Sequence, residues 1–532
     1  MNLPSSMHAI LALPAVFDHP GPADRRQVPS DILHWKRSRL PGEIAEKRPR
    51  RLLRDSDSVV RPLFPGSQAI MSQPFITRIN LKNYRCFDEI EITLHCRLTV
   101  LVAANGAGKT AVLDALAVAV GPFVGAFDEA AGKGFEPDDI RQARVRETVG
   151  NEMEYAVGGC SLFAEGYVPG RAHDPSVEIW GESSTTWARD LPGPKRKTTT
   201  RWARQLVNCG KRLQDAVRTP GVDVVLPVIG YYGTGRLWKL KKLSAGALSR
   251  TSRTIGYTDC LDPGSSYKAF AEWFRYWSES ALQAKLIALQ RNQAPEEGEL
   301  DRYIASVRRA IDACLAPVGW RGIDYSVARQ ELVARHDHHG ELPVSLLSDG
   351  IRNMIGLVAD IAFRATKLNP QFGAEASQRS PGLVLIDEVD MHLHPAWQQV
   401  VLDGLTGAYP EIQFVVTTHS PQVVSSVPSE SIRILHEGKA YGAPHGTEGA
   451  ESSRILKRVF SVDPRPQANK ATRELNDYLD LVYADRWDSQ RAAGLRATLD
   501  ARYRGEEPAL TAADLYIENR EWERANEDDP KA

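Results

Sequence analysis

The chain has 532 residues, 42% of them hydrophobic and 25% charged, with a formal net charge of −1. That is ordinary globular composition, long enough for two or more cores, and the neutral balance excludes a uniformly basic, polyanion-coating protein; any nucleic-acid surface has to be a local patch. No apolar run approaches the roughly 20 residues of a membrane helix, and the six cysteines (Cys86, Cys96, Cys160, Cys209, Cys260, Cys314) form no CxxC pair, which favours reduced thiols and an expected cytoplasmic location over a disulfide frame or a zinc site.

Residues 1–70 are rich in Pro and Arg, with the run KRPRRLLR at 47–54 and little apolar periodicity. Disorder is expected there, or an extension outside the native start, with Met71 as the true first residue. If the extension is part of the protein, its basic run is an alternative candidate for an arm that touches nucleic acid. From Phe75 the stretch FITRINLKNYRCFDEIEITL alternates in short runs, through Ile76, Ile79 and Leu81 and then Ile90, Ile92 and Leu94, as a β-hairpin or three-stranded edge would. The strand LTVLVA, the loop ANGAGKT and the helical run TAVLDALAVAVG follow. Residues 120–220 are mixed and polar and show no single period. VVLPVIGYY reads as a buried strand, and 266–315 turns helical, with Phe270, Trp273, Phe274 and Trp277 on one face expected to pack in a core. From 341 to 430 strands and helices alternate: a helix after Asp349-Gly350, the strand GLVLIDE, the helix HPAWQQVVLDGLTGAY and the strand QFVVTTHS. That order implies a mostly parallel sheet covered on both faces. The tail, 451–524, reads as helices, with Leu475, Tyr478, Leu479 and Val482 on one face; the last ten residues are charged and expected to fray.

Strand, glycine loop, Lys and Thr in that order make a credible phosphate loop. The backbone N–H groups of Asn105 to Thr110, with Gly106 and Gly108 between them, suit the β- and γ-phosphates of a nucleotide at a helix N-terminus. Lys109 suits a bridge between those phosphates, and Thr110 a ligand for Mg²⁺. Ala103 stands where the usual pattern has its first Gly, so its backbone has to tolerate a Cβ. Downstream, the apolar strand Leu383 to Ile386 delivers Asp387 and Glu388 to its end: the first acid suits Mg²⁺, the second the activation of an attacking water. Ser348 or Asp349 sits at the N-cap of the helix IRNMIGLVADIAF. His419 ends a strand beside Ser420. His392 and His394 lie one apart on an extended segment and point to opposite sides, so a metal site is not expected from them.

Loop, LSDG, IDEVD and TTHS, in that order, resemble the ABC-type ATPases of the RecF and SMC group, and ITRINLKNYRCFDEIEI is similar to the first strands of those heads. More narrowly, LKNYRCF, RLTVLVAANGAGKT, LPVIGYYGTGRLW, LSDGIRNMIGLVADIA, IDEVDMHLHPAWQQ and FVVTTHSPQVVSSV resemble bacterial AAA-type proteins of the PtuA kind, the ATPase components of Septu and of certain retron anti-phage systems. The resemblance covers about 75–520. It implies an α/β fold: an ABC-ATPase-like P-loop head with a mostly parallel sheet, an antiparallel N-terminal β subdomain, a short helical insertion and a helical C-terminal region. Expected bounds are 1–70 for the extension, 71–240 and 341–445 for the two lobes, 241–340 for the insertion and 446–532 for a helical region that binds a partner.

The resemblance also implies ATP and Mg²⁺ as ligands and assembly as a dimer or higher oligomer. In such a dimer Ser348 and Gly350 contact the γ-phosphate held by the other copy, His419 senses it, and Asp390 sits near the other subunit. Asp349 and Arg352 depart from the transporter signature. After His419 there is no D-x-D pair and no HNH-like cluster, so the chain is not expected to cut DNA itself; the implied partner is an HNH-type nuclease, with DNA or retron RNA/DNA as a further partner. Two other functions fit the same motifs, a RecF-like repair ATPase that binds DNA directly and a nucleotide-gated scaffold with little turnover.

Overall fold

The computed structural model describes residues 75–144, 153–167, 171–172, 184–237, 252–264 and 267–527. The extension 1–70, its basic run and the expected start at Met71 lie outside them.

Six strands form the central sheet, in the order Val228–Tyr232, Gly382–Ile386, Ile412–Thr418, Leu98–Val102, Ile432–His436 and Lys439–Gly442. The first five run parallel and the last turns back antiparallel at the edge. The first four are buried along their whole length, the polar residues Thr99 and Gln413 included. Near-continuous apolar runs are what a parallel sheet with both faces covered requires. Leu98–Val102 is the loop strand, Gly382–Ile386 the acid strand and Ile412–Thr418 the histidine strand. Thr418 pairs with Val102 and Ile386 with Val416, so all three end on one edge of the sheet. Loops leaving that edge meet in the crevice where open α/β sheets bind ligands.

A second sheet is wholly antiparallel: Phe87–Thr93, Arg78–Tyr84, Cys160–Gly166 and Thr185–Leu191. Its first hairpin turns on Arg85 and Cys86, with Arg85 at φ 48°. The Arg85 guanidinium reaches Asp114 and Asp139, both at 2.8 Å, and so ties the hairpin to the helix that follows the glycine loop. That loop helix, Lys109–Val124, contains Pro122. A proline cannot donate to the carbonyl four residues back, here that of Val118. The buried Arg189 supplies the missing donor: its Nη1 lies 2.8 Å from the Val118 carbonyl oxygen. Trp187 donates its indole N–H to the next carbonyl, Ala119, at 2.9 Å. Among its described residues the stretch 120–220, which shows no period as a whole, holds the end of the loop helix, short strands and the helix Arg204–Arg218, separated by turns that break any long pattern.

From 241 onward the helices Tyr267–Gln290 and Glu299–Leu315 are followed by a three-stranded antiparallel sheet, Trp320–Ser326, Glu331–His336 and Gly340–Pro343, whose last strand runs just past 340. The segment read as a helical insertion is therefore mixed. Its strands are short, and only one face of Trp320, Ile323 and Tyr325 is apolar, a pattern easily lost beside two long helices. Trp273, Phe274 and Trp277 are buried, and Trp273 stacks on Phe363 with ring centroids 4.6 Å apart; the side chain of Phe270 lies outside the described set. The signature helix runs Asp349–Leu368. The single helix expected over 394–409 is two, Pro395–Gln398 and Val401–Ala408. Val400 at φ −119° breaks the ladder, and no Gly or Pro signals it.

Three helices close the chain, Lys470–Tyr483, Gln490–Tyr503 and Pro508–Glu527. The Asn469 and Ser489 side chains accept backbone N–H groups at two of their starts. Leu475, Tyr478, Val482, Ala492, Leu499, Leu510 and Ala513 form a core of their own, separate from the main one, with Leu479 packed against it.

Candidate functional site

The loop strand ends at Val102, and the chain turns through Ala103 to Gly108 before the loop helix begins at Lys109. Ala103 is buried and avoids positive φ, so its Cβ costs nothing. Gly106 and Gly108 adopt φ +78° and +93°, the left-handed region that a side chain resists. A Cβ on Gly108 would also lie 2.4 Å from Phe87 Cζ, whereas one on Gly106 would meet nothing within 4 Å. The hairpin therefore presses the loop from behind at Gly108, and the loop is open at Gly106. Asn105 is exposed at its tip.

Lys109 turns back under this loop. Its ammonium donates to the carbonyl oxygens of Ala103 at 3.0 Å and Ala104 at 3.3 Å. Burial holds it below the usual lysine range, against the opposing pull of Asp387, Glu388 and Asp390. Thr110 Oγ1 donates to Asp387 Oδ2 at 2.8 Å, joining residues 277 apart in sequence. Asp387 is buried; its backbone N–H bonds the Tyr232 carbonyl at 2.8 Å and its Oδ1 accepts from Thr417 Oγ1 at 2.6 Å. Thr417 Oγ1 in turn accepts the Glu388 N–H at 2.8 Å. Glu388 sits at φ 47°, uncommon for a residue with a side chain, which turns the chain sharply after the acid strand.

The histidine strand delivers His419, half-buried, one residue past Thr418. Thr418 Oγ1 holds Asp390 Oδ1 at 2.6 Å and accepts the Ser420 N–H at 2.9 Å, so two threonines organise both acids and the turn that carries the histidine. Ser420 caps the next helix and donates to Gln398 Oε1 at 2.7 Å. Thr417 and Thr418 belong to the TTHS motif, but the sequence alone assigns them no role. Their signal is two hydroxyls at the end of a strand otherwise buried on both faces, where each needs a hydrogen-bond partner.

Ser348 is the N-cap of the signature helix, but its side chain makes no capping bond and is exposed. Gly350 is buried, and a Cβ there would lie 2.3 Å from the His392 carbonyl oxygen. The fold of a single chain therefore already demands glycine at this position. His394 Nδ1 accepts the Ala396 N–H at 3.3 Å and so starts a short helix. Among the described residues no group of three or more His, Cys, Asp or Glu side chains is placed to hold a metal ion.

The donor set fits a nucleotide and a hard cation. Backbone N–H groups at the start of a long helix, an ammonium hydrogen-bonded to two carbonyls, and a hydroxyl paired with a buried carboxylate offer an anion seat beside oxygen ligands of the kind Mg²⁺ prefers.

Two family models match the chain: an AAA domain over residues 78–243, and the AAA domain described as putative AbiEii toxin, Type IV TA system, over 266–425. Each match covers less than half of the chain: the first spans the loop and the antiparallel sheet, the second the signature helix, the acid strand and the histidine strand. The chain is 42% identical to the Retron Ec83 probable ATPase of Escherichia coli over 182 residues, 34% of this chain and 33% of that protein. It is 38% identical to the Septu protein PtuA of Bacillus mycoides (strain KBAB4) over 93 residues, 18% of this chain and 12% of that one. The chain thus matches a third or less of the length of these two relatives, and the resemblance expected from the motifs is borne out at that level. The Smc head domain with an extended coiled coil bound to the C-terminal domain of ScpA, derived from Pyrococcus furiosus, aligns at 15% identity over 70% of this chain and 96% of that chain, with a TM-score of 0.38.

Proposed function

We propose that the chain binds ATP with Mg²⁺ at this loop and hydrolyses it as a dimer closed around the nucleotide, and that it thereby regulates a partner nuclease in anti-phage defence. The observation that carries this reading is the 2.8 Å bond between Thr110 and Asp387, which puts the loop hydroxyl and the buried acid of a distant strand at one point. The names of the relatives, a retron ATPase and a Septu protein, support the defence setting.

In this reading the N–H groups of Asn105 to Thr110 receive phosphate oxygens, and Lys109 leaves the carbonyls of Ala103 and Ala104 for the β- and γ-oxygens. Thr110 and Asp387 are the residues that would hold Mg²⁺, which would supply charge neutralisation on the phosphates. Glu388 accepts the proton of the water whose oxygen attacks the γ-phosphorus, while the β–γ bridging oxygen leaves with ADP. His419 donates a hydrogen bond to the γ-phosphate. Ser348 and Gly350 of one copy face the triphosphate held by the other, and Asp390 lies at the same boundary. The nuclease is a separate HNH-type subunit, met through the C-terminal helices, in the cytoplasm.

Titration calorimetry with MgATP tests the first step: wild type takes up nucleotide and Lys109→Ala does not. Glu388→Gln is expected to lower turnover by on the order of 10² or more and to trap an ATP-bound dimer in light scattering. Wild type that takes up no MgATP refutes the reading. Turnover unchanged in Glu388→Gln refutes the role of that residue alone.

A further inference from the structure

The turn that follows the antiparallel sheet and the helix after it carry cations and no acid as far as Gln214; Asp215 is the first acid beyond. Between Leu191 and Gln214 stand Lys195, Arg196, Lys197, Arg201, Arg204, Lys211 and Arg212, and no Asp or Glu. All seven are exposed. Among the described residues none of them enters an ion pair; the first cation beyond them that does is Arg218, with Asp128. In a chain whose net charge is −1, an excess this local and this unbalanced marks the footprint of a polyanion.

Trp202 lies inside the same stretch and is 56% exposed. The Arg201 guanidinium sits 4.8 Å from its ring centroid, so a cation and a flat π surface are presented together. An exposed indole among cations suits a base stacked on its face with phosphates on either side. A duplex keeps its base faces stacked internally, so the arrangement favours a single strand.

The surface has a rigid mount. Helix Arg204–Arg218 buries Leu206, Cys209 and Leu213 and turns Arg204, Lys211 and Arg212 outward together. Gly210 brings it so close to the loop helix that a Cβ would lie 2.8 Å from the Phe123 carbonyl oxygen. Buried Arg189 pins the turn as well, through the Thr199 carbonyl at 2.9 Å.

We propose that this face binds single-stranded nucleic acid without sequence preference, with phosphates on the seven cations and one base on Trp202. The proposal does not rest on ATP binding, and its test contains no nucleotide triphosphate.

The test is fluorescence anisotropy of the full chain with a labelled oligothymidylate, repeated across a salt series, with anionic phospholipid vesicles in parallel. Wild type is expected to bind the oligonucleotide with affinity that falls linearly on a log–log salt plot. Changing Lys195, Arg196 and Lys197 together to Gln removes up to three phosphate contacts and flattens the slope by about 2 units. Trp202→Ala weakens binding about tenfold or more at every salt concentration with the slope unchanged, and Trp202→Phe restores most of it. These positions are exposed, and thermal melts superimposable on wild type check that the fold is kept. Wild type that binds no oligonucleotide overturns the proposal, and so do variants that keep both slope and affinity. Vesicle binding lost in the same variants, with no oligonucleotide binding, overturns it in favour of a membrane surface.

Discussion

Thr417→Val isolates what the histidine strand does for the acids. Thr417 is fully buried, and its hydroxyl serves two neighbours at once, donating to Asp387 Oδ1 at 2.6 Å and accepting from the Glu388 N–H at 2.8 Å. Valine keeps the shape and replaces the hydroxyl with a methyl. The bond to a carboxylate contributes about 1.5–3 kcal/mol, and removing the acceptor of the half-buried Glu388 N–H costs about 1–3 kcal/mol. The extra methyl returns about 0.8 kcal/mol of apolar burial. The expected net loss is about 2–5 kcal/mol, read as a lower midpoint in urea unfolding followed by circular dichroism. MgATP affinity should fall as well, because Asp387 and Glu388 lose the group that sets their positions. Thr417→Ser keeps the hydroxyl and should recover all but about 1 kcal/mol. If Thr417→Val unfolds within about 0.5 kcal/mol of wild type and binds MgATP as tightly, the threonine does not organise the two acids.

Three further outcomes are expected. Gly108→Ala combines a left-handed backbone with a Cβ 2.4 Å from Phe87 Cζ, about 2–5 kcal/mol from strain and overpacking together, while Gly106→Ala meets open space and pays about 1–2 kcal/mol; equal losses in thermal unfolding refute the account of the loop. Arg189→Met strands the Val118 carbonyl that Pro122 leaves without a helical donor, a loss of about 3 kcal/mol. On a Pro122→Ala background, which restores that N–H, the loss should shrink, and a double-mutant cycle with no coupling sinks the explanation. Burial disfavours the ionised form of Asp114, but Lys133 and then Arg85 outweigh it and hold its pKa below the usual carboxylate value. A depressed carboxyl stabilises the fold above the unfolded value near about 4 and loses that contribution as pH falls through the folded one. Asp114→Asn should therefore flatten the stability–pH curve below about pH 4; parallel curves for the two proteins contradict it.

Local chemistry was readable in the sequence. The glycine loop after LTVLV, the acids after GLVLI, the N-cap before IRNMIG and the apolar face of the last helices depend on neighbours within a few residues, and period and residue type report such neighbours directly. The core role of Trp273, Phe274 and Trp277 was readable for the same reason. Only tertiary structure decided which local pieces meet. The placing of the acid and histidine strands between Val228–Tyr232 and the loop strand brings Thr110 to Asp387, and nothing in either segment records that order. Thr417 and Thr418 look like ordinary strand residues until their partners arrive from another strand, and Pro122 looks like a helix end until Arg189 completes its ladder. Gly350 resembles a signature residue, yet the His392 carbonyl across the fold already requires it. The physical division is one of range. Backbone preference and burial pattern act over a turn or two of chain, whereas hydrogen bonds to buried polar groups are satisfied by whatever the packing brings within about 3 Å, however distant in sequence.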